Sequence, residues 1–317
     1  MRTNINTFIR IFMRIFMLTF MRMRGKLKLL RNISFRNGGD TMSNKELAVG
    51  SINIQKGGTG KSSTIFNLGE KISEEKSVLL IDLDESGNLS SRYLMNEKYD
   101  LGLIKPENKI GNLFTHGNVE PINIHTNLDL IVSSNNLPEI EKKIQTKPNN
   151  RLIIVAWIAD NYEKLAEKYD YILIDTHNDT SIITQNAWVA SDVVFAVSDP
   201  SMDAFIAVQK LEHDIEVLRE ELVEFRTKES YLQAEFKFVG NKIEHNTNSS
   251  KEFLELANQH DKFIGYFQKK ELINTANIEM TPINEFAKNK NTYAKHKTFF
   301  DRTFELYEKM RMIMDNH

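Results

Sequence analysis

Short apolar runs recur along the chain at Leu47–Ile54, Ser77–Leu83, Leu128–Val132, Tyr171–Ile174, Asp192–Ser198, Glu235–Gly240 and Ile264–Phe267. A continuous run such as Val78-Leu79-Leu80-Ile81 marks a strand covered on both faces, the habit of a parallel sheet. Between the runs the apolar period lengthens to that of a helix. Ser63–Ile72 carries Ile65, Phe66 and Leu68, and Arg151–Lys168 carries Ile154, Trp157, Ile158, Tyr162 and Leu165 on one face. A short helix is expected at Ile110–Phe114 and another at Ser181–Ala190. From Ser201 to about Lys228 the residues Val208, Leu211, Ile215, Leu218, Leu222 and Phe225 form one apolar stripe opposite an acidic face. Three helical segments follow the last strand, the final one from about Thr292 to Met314. Residues 96–127 and 145–150 read as loop-rich. Strands alternating with helices predict an α/β fold, a doubly wound, mostly parallel sheet flanked by helices.

Composition narrows the compartment and the chemistry. Hydrophobic residues make up 41% and charged residues 26% of the 317, the profile of a globular protein. Cysteine is absent, which excludes disulfides, zinc–thiolate sites and iron–sulfur clusters and suits a reducing cytoplasm. The net charge of −2 hides an asymmetry, because residues 1–41 hold nine Lys/Arg against Asp40 alone. The apolar part of this leader, Phe8 to Phe20, is interrupted by Arg10 and Arg14 and is too short and too charged to span a bilayer. No transmembrane segment is expected. Two readings of the leader stand. Asn37-Gly38-Gly39-Asp40-Thr41 can be encoded by a ribosome-binding sequence ahead of Met42, which favours Met42 as the true start. The other reading is a functional basic arm. Residues 1–46 are therefore set apart from a 47–317 domain.

Three polar clusters interrupt the apolar pattern at strand ends. The first is Lys56-Gly57-Gly58-Thr59-Gly60-Lys61-Ser62-Ser63, between the first strand and the first helix. Glycines let backbone N–H groups close around an anion, and the helix N-terminus adds partial positive charge. In such a loop Lys61 reaches the β- and γ-phosphates and the Ser62 hydroxyl reaches Mg²⁺. The second cluster, Asp82-Leu83-Asp84-Glu85-Ser86-Gly87-Asn88, sets two carboxylates at the end of the second strand, placed to hold Mg²⁺ or an attacking water. The third is Asp175, which ends the run from Tyr169 and is followed by Thr176-His177-Asn178-Asp179.

Gln55 stands where the ordinary Walker pattern has its first glycine, and Lys56 is an extra lysine. The loop K-G-G-T-G-K-S resembles that of the ParA/MinD family of deviant-Walker ATPases, and within it the ParA-type partition ATPases that lack an N-terminal helix-turn-helix domain. The resemblance implies ATP and Mg²⁺ as cofactors, slow hydrolysis to ADP and phosphate, and a homodimer closed over two nucleotides. In that dimer Lys56 would reach the nucleotide of the other subunit. Asp82, Asp84, Gly87 and Asn88 match the family's D-x-D-P-Q-G-N, with Glu85 and Ser86 departing from it. By the same resemblance Asp84 is the aspartate needed for hydrolysis, Asp175 an outer-sphere Mg²⁺ residue, and Asn241 an adenine contact. The family's prolines after Asp175 are missing, leaving His177 and Asp179 either as a capping turn or as γ-phosphate sensors.

Residues 262–317 hold ten Lys/Arg against seven acids. Lys269, Lys270, Lys288, Lys290, Lys295, Lys297 and Arg302 are the candidates for a basic face, which the resemblance to partition ATPases implies would meet nonspecific, nucleoid DNA. Recognition of a centromere would then fall to a separate adaptor protein. Two other readings are a MinD-like ATPase that positions structures on a membrane and a non-hydrolysing nucleotide-gated adaptor.

Overall fold

The computed structural model describes residues 47–99, 101–244 and 246–317. The basic segment 1–46, with its expected start at Met42, lies outside them. In chain order the first half holds β1 (Ala48–Asn53), α1 (Lys61–Ile72), β2 (Val78–Leu83), α2 (Asn88–Leu94), a 3-10 turn (Pro106–Asn108) and α3 (Ile110–His116). Then come β3 (Ile122–His125), β4 (Leu128–Ile131), α4 (Leu137–Ile144), α5 (Ile153–Asp160), α6 (Tyr162–Lys168), β5 (Tyr171–Thr176) and α7 (Ile182–Ala190). The second half continues with β6 (Val193–Ser198), α8 (Met202–Glu221), β7 (Glu235–Ile243), α9 (Asn248–Asn258) and β8 (Phe263–Gln268). It closes with α10 (Glu271–Ile278), α11 (Ile283–Lys288), α12 (Lys290–Lys295) and α13 (Lys297–Asp315).

The eight strands form one sheet in the order β3-β4-β2-β5-β1-β6-β7-β8. All neighbours are parallel except β3, which runs antiparallel to β4 at one edge. β1, β2, β5 and β6 are buried along their whole length, as their unbroken apolar sequences require. Their side chains alternate into two cores. On one face Leu79, Ile81, Ile172 and Val194 meet Trp157, Trp188, Val208 and Leu211. On the other, Ile52, Leu80 and Phe195 meet Phe66, Tyr93, Phe300 and Met310. The helices therefore cover both sides, and the doubly wound, mostly parallel α/β class is the one observed.

Several element boundaries differ from expectation for local reasons. The single helix expected over Arg151–Lys168 is two, broken at Asn161, whose side-chain amide donates to the Trp157 carbonyl at 2.9 Å. The helix from Ser201 stops at Glu221. Glu224 then draws in the backbone N–H groups of Arg226 and Thr227, and Phe225, assigned above to the apolar stripe, is 82% exposed. Competition of this kind between a side chain and the helix ladder is what ends a helix whose apolar period would let it run on. The last expected helix is likewise two, α12 and α13, and four helical segments follow β8 rather than three. β7 runs three residues beyond Gly240, so Asn241 and Lys242 lie within its irregular end.

Candidate nucleotide site

The three polar clusters converge because β1, β2 and β5 are parallel neighbours and end at the same side of the sheet. Ile52 pairs with Asp175 across β1 and β5, and Asp82 pairs with Asp175 across β2 and β5. Gly57, Gly58, Gly60, Lys61, Ser62, Ser63 and Asp84 line a cleft of about 780 Å³, within the size range of small-ligand sites.

The loop has the backbone that its glycines permit. Gly58 and Gly60 have φ of +75° and +102°, and Gly60 leads directly into α1. A Cβ at Gly60 would stand 2.3 Å from the Asn241 amide nitrogen. That closeness exposes a tie: Asn241 Nδ2 donates to the Thr59 carbonyl at 2.7 Å, and Lys242 Nζ donates to the Gly58 carbonyl at 2.6 Å. The end of β7 thus holds two loop carbonyls down. Asn241 Oδ1 accepts the Lys242 N–H at 2.9 Å.

Lys61 is 8% exposed. Burial pulls its ammonium below the ordinary lysine value, opposed by the negative charges of Asp175, Asp84 and Asp179. Asp175 is wholly buried, and neither carboxylate oxygen has a hydrogen-bond partner. Burial and the neighbouring Asp82 raise its pKa well above the carboxylate range, against the pull of Ser62 and Lys61. A sealed carboxylate beside a serine hydroxyl offers the oxygen ligands that a hard divalent cation takes, and the neighbouring lysine is a countercharge for phosphate.

Asp82 differs from it. Its Oδ2 accepts the Ser90 N–H at 2.8 Å and hydroxyl at 2.7 Å, and its Oδ1 accepts the Asp84 N–H at 3.1 Å. Burial lifts its pKa to about 6 in spite of these bonds. Asp82 shapes the turn into α2 as well as neighbouring Asp175. Asp84 Oδ1 accepts the Ser86 N–H at 2.9 Å and hydroxyl at 2.7 Å, and its carbonyl accepts from the Ser133 hydroxyl. Ser86, which departs from the family pattern, is therefore what orients Asp84.

Lys56 lies at the rim. Its Nζ sits 3.1 Å from Asp199 Oδ1 and donates to Ser201 Oγ at 2.7 Å, bridging to the start of α8. His177 Nδ1 is 3.1 Å from Asp179 Oδ2, while Asp179 Oδ1 takes the Thr184 hydroxyl at 2.6 Å and the Ser181 N–H at 3.1 Å. Asp179 thus stabilises the start of α7. The turn is further held by Asn53, whose amide donates to Thr176 Oγ1 at 2.6 Å and to the His177 carbonyl at 2.8 Å. Of the seven basic-face candidates, Lys269, Lys288 and Lys297 are paired with Glu244, Glu285 and Asp301. Lys270, Lys290, Lys295 and Arg302 are exposed and form no ion pair among the described residues. No local motif announces Asp199, Ser201, Asn53, Lys242 or Arg92; each comes to the site through a contact that the fold makes.

A glycine cradle opening a helix at the carboxyl ends of parallel strands, with a buried lysine and a partnerless aspartate, defines a P-loop nucleotide-binding protein. A family model described as "AAA domain" matches residues 48–228. Chromosome partitioning protein ParA of Myxococcus xanthus is 30% identical over 179 residues, 54% of this chain and 59% of that protein. Virulence plasmid ParA family protein pGP5-D of Chlamydia psittaci is 28% identical over 166 residues, 49% of this chain and 58% of that protein. The match therefore spans less than two thirds of either relative. A plasmid partition protein of Borrelia burgdorferi, solved with AMPPNP, shares the fold with a TM-score of 0.62 at 22% identity, covering 79% of this chain and 99% of that one. The chain belongs to the AAA-domain family that the model describes, and within it to the ParA-type P-loop ATPases.

Proposed function

We propose that this chain is a DNA-partition ATPase that binds ATP with Mg²⁺, closes into a homodimer over two nucleotides and holds nonspecific DNA until hydrolysis releases it. A separate centromere-binding adaptor would stimulate turnover. The observation that carries the reading is the unpartnered, buried Asp175 beside Lys61 and Ser62 at the mouth of the glycine loop. Backbone N–H groups of Gly57 to Ser63 would hold the phosphate chain. Lys61 would neutralise charge on the β- and γ-phosphates. Ser62 and Asp175, with Asp82 behind them, would hold Mg²⁺, which supplies positive charge at the transferring phosphoryl group. Asp84, oriented by Ser86, would position the attacking water. Lys56 of the partner subunit would add a second cation at the γ-phosphate. In each chain that lysine must first leave Asp199 and Ser201. Lys270, Lys290, Lys295 and Arg302 would supply uncommitted cations for DNA phosphates.

The membrane reading has less support. No helix among the described residues is long and apolar enough to cross a bilayer. The apolar face of α13, with Phe299, Phe300, Leu306, Tyr307, Met310 and Met314, is spent on the sheet.

The test is phosphate release and DNA co-sedimentation by the full chain with ATP–Mg²⁺, beside the Lys61→Ala variant. Wild type should bind ATP, release phosphate and sediment with DNA; Lys61→Ala should do none of these. ATP binding with no phosphate release under any DNA or adaptor condition would favour the nucleotide-gated adaptor instead.

A further inference from the structure

Arg92 stands out among the residues that the site leaves unused. It sits on α2, shortly after the turn that carries Asp84, and lines the same cleft as Gly58, Lys61 and Asp84. Its guanidinium carbon lies 4.8 Å from the centroid of the Phe66 ring. Nε and Nη1 are shut off from solvent and have no hydrogen-bond acceptor. No carboxylate among the described residues forms an ion pair with it.

That resting place is expensive. A guanidinium keeps its proton at any physiological pH. Each donor left unbonded away from water costs free energy, and more when the group is charged. Stacking on an aromatic ring offsets only part of that cost. Burial accordingly pulls the Arg92 pKa down, with the nearby Asp175 charge opposing it. A side chain held with unused donors at the edge of an anion site loses little by turning into that site. There its planar fork meets phosphate oxygens in two parallel hydrogen bonds.

We propose that Arg92 is a phosphate-binding residue of this cleft: nucleotide draws the guanidinium off Phe66 and onto the phosphate chain, so that each subunit carries its own arginine in addition to Lys61. This rests on the nucleotide reading above. A phosphate contact of this kind is worth roughly 1.5–3 kcal/mol, or about ten- to a hundredfold in affinity.

The experiment measures ATP, ADP and adenosine binding together with melting temperature without nucleotide, for wild type, Arg92→Met and Arg92→Lys. Arg92→Met keeps the length and the contact with Phe66. It should bind ATP at least about tenfold more weakly, leave adenosine unaffected, and melt no lower than wild type in the nucleotide-free state. Arg92→Lys should recover part of the ATP affinity, and more of it at low salt. If Arg92→Met does not fold, a loss of ATP affinity in Arg92→Lys at unchanged melting temperature supports the assignment. Wild-type ATP affinity in the variants, or a lowered melting temperature with affinity intact, would show that Arg92 only packs on Phe66. A wild type that binds no ATP would remove the proposed function and this assignment together; a wild type that binds, with variants its equal, removes this assignment alone.

Discussion

Replacing Asn241 with alanine separates two roles that one side chain could play. Its amide donates to the Thr59 carbonyl at 2.7 Å, across 182 residues of chain, and its Oδ1 accepts the Lys242 N–H. If that geometry is its purpose, Asn241 steadies the glycine loop and reads no base. Loss of one partly buried hydrogen bond costs about 0.5–1.5 kcal/mol, and the bond from Lys242 to the Gly58 carbonyl remains as a second tie. Ordering the loop again on binding would then weaken affinity by roughly threefold to tenfold. The loss should be the same for ATP, GTP and inorganic tripolyphosphate, because the disturbed part is the cradle they share. Competition binding with the three ligands measures it. An Asn241→Ala variant that loses ATP alone, with GTP and tripolyphosphate unchanged, would refute that role for the bond and support Asn241 as the adenine contact. In the Asn241→Ala, Lys242→Ala double variant the two losses should not simply add, since both residues hold one loop.

Gly60→Ala should abolish nucleotide binding and lower the melting temperature. The φ of +102° costs an L-residue about 1–2 kcal/mol, and the new methyl would displace the Asn241 amide. Asp199→Asn should loosen the hold on Lys56, so that ATP-dependent dimers form at lower protein concentration in gel filtration; no change would mean the contact at 3.1 Å does not restrain association. Tyr171 predicts an alkaline limit. Burial, and then its bond to the Asp315 carboxylate at 2.5 Å, raise its pKa to about 12, against the pull of Arg311. The folded state therefore favours the protonated phenol, and the stability this confers is complete below about pH 10 and is lost as pH rises toward 12. Melting curves across that range should fall less steeply for Tyr171→Phe.

The strands and the phosphate loop were legible because both are local. Four consecutive apolar residues, or three glycines ahead of a lysine, carry their meaning whatever lies elsewhere in the chain. Helix ends were less so: apolar spacing continues smoothly through Asn161, and only the side-chain bond to Trp157 shows why the helix divides there. Leu137–Ile144 and Asn248–Asn258 are hard to tell from loop because each runs only two to three turns and buries three residues. Within the site, the motif residues were found and their anchors were not. Lys56 meets Asp199, 143 positions away, and Asn53 meets Thr176, 123 positions away. Such pairings follow from strand order, which apolar periodicity does not determine.

The way α13 closes the second face of the sheet makes the phosphate loop depend on a distant part of the chain. Met314 seats its sulfur over Gly50 in β1, where even a methyl would stand 2.5 Å from it, and Tyr171 of β5 is tied to Asp315. The strand that launches the phosphate loop thus takes its cover from the last described helix. Without that cover, β1 would show bare apolar surface. Truncation within α13 should therefore impair nucleotide binding even though the loop's own residues are untouched.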